Sequence, residues 1–292
     1  MLSELPGKSW FTVDYPIPEG AASVSVVTAD VPVRISSWEF WSEGTMPAIP
    51  ISEMLPTPEK LDYLVVATHF DDDVLFLGAV VPIYGAGQGK TGTILYTASR
   101  PRARLVEGLA GAREMGLQYL PLFTRFRDTN KPYYAEDFTE ENLLLYLVRT
   151  YRRYKPEVVV TQDLNGEYGA WQHIVTSETT QKAVSFAADE SFDPESAAEY
   201  GTWQVKKLYI HLFPENKITL DVNTPIEALG GRTAFRVACD AYQCHASQVR
   251  RGRYSVTNEG LFDLTAFGLA YTDVGPDTPG VNDMFEHIES GD

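Results

Sequence analysis

From Leu61 onward, short apolar runs alternate with longer stretches of helical spacing, and this alternation limits the fold more than any other feature. Residues 61–67, 91–97, 119–123, 157–161 and 207–212 are apolar or β-branched enough to form strands. Residues 102–115, 140–154, 171–188 and 232–251 have the spacing of helices between them. Strand, helix, strand in that rhythm predicts right-handed βαβ units. The fold class expected is therefore α/β, a Rossmann-like mostly parallel sheet flanked by helices. Gly116 suits the end of the first long helix. The tail from Leu261, with Gly275-Pro276-Asp277-Thr278-Pro279-Gly280, reads as a loop wrapping the core. Residues 1–59 differ. Ala22-Ser-Val24-Ser-Val26-Val27 and Val31-Pro-Val33-Arg-Ile35 read as short strands, with Trp10, Phe11, Trp38, Phe40 and Trp41 as packing anchors. The expected organisation is a β-rich N-terminal extension over 1–59 and an α/β domain over 60–292.

The first expected strand runs directly into Ala67-Thr68-His69-Phe70-Asp71-Asp72-Asp73. Side chains at the carboxyl end of a buried parallel strand converge on a cleft. A helix N-terminus favours acidic residues, which accounts for one aspartate or two. It does not account for the histidine. Carboxylates crowded this closely repel one another, and a divalent cation relieves the repulsion. His69 and Asp72, three apart, can bend toward one ion while Asp71 stays free beside it.

The strand expected at 157–161 leads into Asp163-Leu-Asn-Gly166-Glu167-Tyr168-Gly169-Ala170-Trp171-Gln172-His173. The glycines permit an irregular loop, and His173 then opens a helix. Two parallel strands of one sheet would bring His69 and His173 to the same edge. Two nitrogens and one oxygen make a three-ligand site with an open position, the arrangement of catalytic zinc. Iron, cobalt or manganese could occupy the same ligands. Asp71 is read as the base that accepts a proton from a metal-acidified water, or as a carboxylate that orients His69 or His173.

The segments ATHFDDDVLFLGA and GEYGAWQH, with RLVEGLAGAREMGL between them, resemble the PIG-L/LmbE-like zinc-dependent de-N-acetylases. The first motif of that family is usually His-Pro-Asp-Asp-Glu and its second Gly-His-x-x-His. The resemblance runs from about Leu61 to His173, with weaker echoes at Lys206-Lys207-Leu208-Tyr209 and His245-Ala-Ser-Gln248. It implies His69, Asp72 and His173 as ligands of Zn2+ and Asp71 as general base. It also puts Arg104, in Arg-x-x-Glu with Glu107, at the cleft edge, where it would hold substrate hydroxyls or a phosphate. The plain alternative for Arg104 and Glu107 is an exposed ion pair one helical turn apart. Phe70 stands where the family has proline, Asp73 where it has glutamate, and Ala170 where it has a second histidine that steadies the tetrahedral intermediate or the departing amine. Loss of one such donor costs about 100- to 1000-fold in turnover. Tyr168, His211 and His245 are the candidates to compensate.

The implied function is zinc-dependent hydrolysis of the acetamide of an N-acetylated amino sugar or sugar conjugate, releasing acetate. The alternative is a metal-binding protein with weak or lost catalysis because of Ala170. A small-molecule N-acetyl sugar or glycoconjugate is the expected partner. A net charge of −16 argues against nucleic acid. The basic cluster Arg250-Arg251-Gly-Arg253 reads as a helix end with a glycine stop. No run approaches the ~20 apolar residues of a membrane span. The expected location is cytoplasmic, or exported with a signal peptide missing from this sequence. Cys239 and Cys244 point to different faces of a helix and would not bridge. Gly85-Ala-Gly87-Gln-Gly89-Lys90 precedes a strand, whereas a phosphate-binding loop follows one.

Overall fold

The computed structural model describes residues 17, 19–25, 54–99, 104–132 and 135–289. The chain divides into two units, Met1–Glu53 and Met54–Asp292. In the first, residues 22–25 of the expected alternating run are exposed and form no strand. The rest of the expected β-rich extension, with Trp10, Phe11, Trp38, Phe40 and Trp41, lies outside the described residues.

The second unit is built on strands β1 (Tyr63–Ala67), β2 (Gly92–Tyr96), β3 (Leu122–Phe123), β4 (Val158–Thr161) and β5 (Lys207–His211). Each joins its neighbours in parallel. These are the strands expected from the sequence, trimmed at their ends. Three smaller ones complete the set before the tail: β6 (Lys217–Thr219) and the pair β7 (Pro225–Ile226) and β8 (Arg232–Thr233). The tail departs from expectation. Ala266–Thr272 forms strand β9, antiparallel to both β5 and β6, so the main sheet has the order β3-β2-β1-β4-β5-β9-β6.

The helices are α1 (Asp72–Leu75), α2 (Leu105–Glu114), α3 (Glu140–Tyr154), the short turn α4 (Gly166–Gly169), α5 (Trp171–Ala188), α6 (Pro194–Tyr200), α7 (Ala234–Gln243) and α8 (Ala246–Val249). A wide π-helical turn, Val81–Gly87, precedes β2. It places Gly85-Ala-Gly87 before a strand, as the sequence implied. The single helix expected over 232–251 is instead α7 and α8, broken at Cys244 and His245. Both cysteines are free. Gly116, at φ +92°, takes the left-handed position past α2.

Every residue of β1, β2, β4 and β5 is buried, which is why these strands read as continuous apolar runs rather than alternating ones. Leu64, Val66, Leu95, Val159, Leu208 and Ile210 pack with Leu143, Leu147, Val148 and Tyr151 of α3 and Ala183, Val184 and Ala187 of α5. Burying a side chain of this size contributes about 1.5–3 kcal/mol. The alternate residues of β1 point to the opposite face. There the Tyr63 ring lies across β2 so closely that a Cβ on Gly92 would stand 2.2 Å from it. From β1 the chain moves outward to β2 and β3, then returns to lay β4 on the other side of β1. The carboxyl ends of β1 and β4 are thus the point where strand order reverses. In open sheets of this class ligands bind in that crevice.

Candidate metal centre

Both sequence motifs begin at this reversal point. Gln162, the residue after β4, accepts from the backbone N–H and the hydroxyl of Thr68, the residue after β1, at 2.8 and 2.6 Å. One residue further, the His69 turn bends over the sheet. Its shape is held by the His69 N–H, which donates to Asp72 Oδ2 at 2.7 Å. From the other motif, α5 begins at Trp171 and carries His173 in its first turn.

The outcome is a cluster of three ligand-type atoms. His69 Nδ1 and His173 Nε2 lie 2.9 Å apart, and Asp72 Oδ2 is 3.1 Å from the first and 3.2 Å from the second. A tetrahedral ion with bonds of ~2.0–2.1 Å keeps its donor atoms roughly 3.3 Å apart, so the triangle is close to the size zinc takes. Among the described residues it is the group of histidine, cysteine and acid side chains placed to share one ion. Asp72 and His173 are buried and His69 is half-buried. The cluster draws positive charge. Burial works against a charged His69 ring, but Asp72, with Asp128 and Asp71 behind it, raises His69 to about 9. Burial likewise opposes a charged Asp72, yet His173 and His69 hold it well below the usual carboxylate range.

Asp71 is not one of the three ligand-type residues. Its Oδ1 pairs with Arg104 Nη2 at 2.5 Å. Arg104 is therefore at the edge of the centre, as the resemblance implied, and Glu107 has another partner. Glu107 instead accepts from the backbone N–H and hydroxyl of Ser247 at 2.8 and 2.6 Å. Asp73 turns inward, where Tyr96 donates its hydroxyl to Oδ2 at 2.8 Å. Burial pushes the Asp73 carboxyl well above the usual range.

The three compensating candidates go to different places. Tyr168 stands beside the cluster, its ring edge-on to His173 at 5.3 Å, and is 46% exposed. His211, at the end of β5, lies behind Phe76, whose ring centroid is 5.9 Å from it and 6.1 Å from His173. Both His211 nitrogens are engaged, Nδ1 with Glu167 at 2.8 Å and Nε2 with the Asp263 carbonyl at 2.9 Å. Burial disfavours its charge, but Glu167 raises its pKa above the ordinary value. His245 is buried against α2, where a Cβ on Gly111 would meet Nε2 at 2.6 Å. Burial lowers it to about 4. His287 sits in the tail beside Glu286.

Two residues at the centre escaped sequence reasoning. Asp128, in the loop after β3, comes within 3.5 Å of His69 Nε2 and 4.0 Å of Arg104 Nη1. Gln172 supports that loop. Its Oε1 accepts from the Thr129 N–H at 3.0 Å and lies 3.4 Å from His69 Nε2, while its Nε2 donates to the Arg127 carbonyl at 2.7 Å. Gln172 was visible as the neighbour of His173. Nothing in the sequence around Asp128 marks it.

No family model matches the chain. Individual relatives do. A protein of Catenulispora acidiphila named 1D-myo-inositol 2-acetamido-2-deoxy-alpha-D-glucopyranoside deacetylase 1 is 26% identical over 262 residues, covering 77% of this chain and 75% of that one. The deacetylase of the same name from Streptomyces scabiei is 26% identical over 237 residues, covering 68% and 69%. A shorter stretch of 63 residues is 44% identical to a Frankia casuarinae deacetylase of that name, 22% of this chain and 20% of that one. Among solved structures, the N,N'-diacetylchitobiose deacetylase of Pyrococcus horikoshii superposes with a TM-score of 0.51 at 17% identity, covering 64% and 70%, which supports the fold. Relatives named as deacetylases match the chain over most of its length at 26% identity, and the two motifs that resemble those of the PIG-L/LmbE-like de-N-acetylases meet at one point of the sheet.

Proposed function

We propose that the protein is a zinc-dependent amide hydrolase that removes the acetyl group from an N-acetylglucosamine conjugate. The observation that carries this is the triangle of His69, Asp72 and His173 at the reversal point of the sheet. Relatives named as deacetylases of an acetamidoglucose–inositol conjugate supply the substrate class. The donor set, two imidazoles and one carboxylate, suits zinc.

When bound, zinc would polarise the acetyl carbonyl and lower the pKa of a coordinated water. The chain's own residues do the rest. Asp71, next to Asp72 in the chain and paired with Arg104, accepts the proton of the attacking water and returns it to the departing amine. Asp128 and Gln172 hold the Nε2 side of His69, which leaves Nδ1 aimed at the cluster. Tyr168, whose ring meets His173 edge-on, would supply the hydroxyl donor that Ala170 lacks.

A second reading, a metal-binding protein with little turnover, rests on Ala170. The two separate when zinc-loaded protein is assayed for acetate release on a panel of N-acetylglucosamine conjugates, before and after Ala170→His. Release by the natural chain supports the hydrolase. Release only after Ala170→His supports the second reading, and failure to take up about one equivalent of zinc overturns both.

A further inference from the structure

The loop after β4 holds a charged residue in a backbone conformation that few side chains adopt. Glu167 has φ 62° and ψ −80°, a tight turn strained for any residue with a Cβ. What keeps it there is its own side chain. Glu167 Oε1 accepts from the Asp163 N–H at 2.9 Å, and both carboxyl oxygens lie within 3.0 Å of His211 Nδ1. On the opposite side of the ring, His211 Nε2 meets the Asp263 carbonyl, a group that can only accept. A carboxylate on one side and a carbonyl on the other favour a ring that donates from both nitrogens, an imidazolium fully buried between two chain segments.

Those segments carry an aromatic wall. Tyr168, next to Glu167, stacks on Tyr254 at 5.6 Å, Tyr254 packs on Phe262 at 5.6 Å, and Phe262 stacks on Phe76 at 5.0 Å. Tyr168 and Phe76 both meet the His173 ring, at 5.3 and 6.1 Å, and of the two Tyr168 carries a hydroxyl. His211 ties one end of the wall through Glu167 and the other through Asp263, the neighbour of Phe262. In a chain with alanine at position 170, the placement of the Tyr168 hydroxyl matters more than it would beside a second imidazole.

We infer that His211 is a positioning residue: with Glu167 it clamps the strained turn and so holds the Tyr168 phenol at the edge of the metal centre. This rests on the amide-hydrolase reading above, and the test separates the two.

The experiment is a double-mutant cycle on the zinc-loaded full chain, with His211→Ala, Tyr168→Phe and the pair, and Glu167→Gln as a milder break of the same clamp. His211→Ala and Glu167→Gln should lower kcat about 10- to 100-fold, as expected for a misplaced donor, with KM and zinc stoichiometry unchanged. Added to Tyr168→Phe, either should cost almost nothing more. Losses that simply multiply, or that follow zinc content, overturn the clamp. Independently of turnover, the 15N shifts of His211 should show both nitrogens protonated at pH 7. Fluorine NMR of 3-fluorotyrosine at position 168 should show one environment that becomes several in His211→Ala. A neutral His211 ring, or a Tyr168 signal indifferent to His211, overturns the inference even if no acetate is ever released. Both signatures present without acetate release leave the clamp standing and count against the hydrolase reading alone.

Discussion

Asp71 and Asp72 are adjacent in the chain yet meet different partners, and the proposed chemistry depends on that separation. Asp72 Oδ2 touches both imidazoles, while Asp71 touches Arg104. Asp72→Asn should therefore abolish tight zinc uptake. Asp71→Asn should keep the metal and lower kcat by about 100- to 10,000-fold, the range of a lost general base. Metal analysis alongside steady-state kinetics distinguishes the two. The centre should also bind zinc with a marked pH dependence. A ligand imidazole must give up its proton, and His69 is raised to about 9 by Asp72 against the effect of burial. Below that pH the proton competes with the ion, so affinity should rise with pH and level off near 9. Calorimetry at pH 7 in buffers of different ionisation enthalpy should show about one proton released from His69 per zinc bound. The three ligand positions were legible because each motif keeps its side chains at fixed short spacing from the end of a strand. Asp128 was not. Its approach to His69 depends on where the loop after β3 crosses the sheet edge, a distance along the fold that no local pattern encodes.

At the scale of elements, the unusual Phe70 has a packing explanation. Its ring is buried 4.8 Å from Tyr96 and 5.9 Å from Phe123, and it packs against α2 at Gly108. A Cβ at Gly108 would stand 2.6 Å from the ring. The turn bearing His69 and the helix following Arg104 are thereby locked together by one aromatic ring and the absence of one methyl. Gly108→Ala should force that ring aside and cost about 1–3 kcal/mol in spite of the better helix propensity of alanine. Thermal unfolding would register this as a fall of roughly 2–4 °C per kcal/mol; an unchanged Tm would show that α2 shifts freely. The central strands were readable because full burial makes each a continuous apolar run. Strand β9 was hidden because its value lies in distant partners, the open edge of β5 and the short β6, and its own residues mix glycine, alanine and aromatics. The helix expected over 232–251 breaks because His245, at φ −83° and ψ 58°, leaves the helical region to bury its ring against Gly111.

For the molecule as a whole, topology and charge act together at the reversal point. Strand order brings the two motifs to one crevice, and within a chain of net charge −16 that crevice gathers Asp71, Asp72 and Asp128. Self-repulsion among acidic groups grows as histidines lose their protons, so stability should decline on the alkaline side for general reasons. The buried pair of His211 and Glu167 adds a specific term whose sign can be worked out. Burial disfavours the His211 charge, but Glu167 more than offsets it, so the folded value lies above the ordinary one. A raised value means the folded state holds the proton more tightly than the unfolded chain. The stabilisation is fully present below about pH 6.5, where the ring is protonated in both states, and is lost as pH rises through the folded value. Urea unfolding of the natural chain and of His211→Gln, run side by side from pH 6 to pH 9, isolates this term from the general repulsion that both share. The stability difference between them should be largest at pH 6 and shrink steadily toward pH 9. A difference that stays constant would mean that His211 holds its two segments together as a neutral ring, through shape and a single donor, rather than as a buried cation.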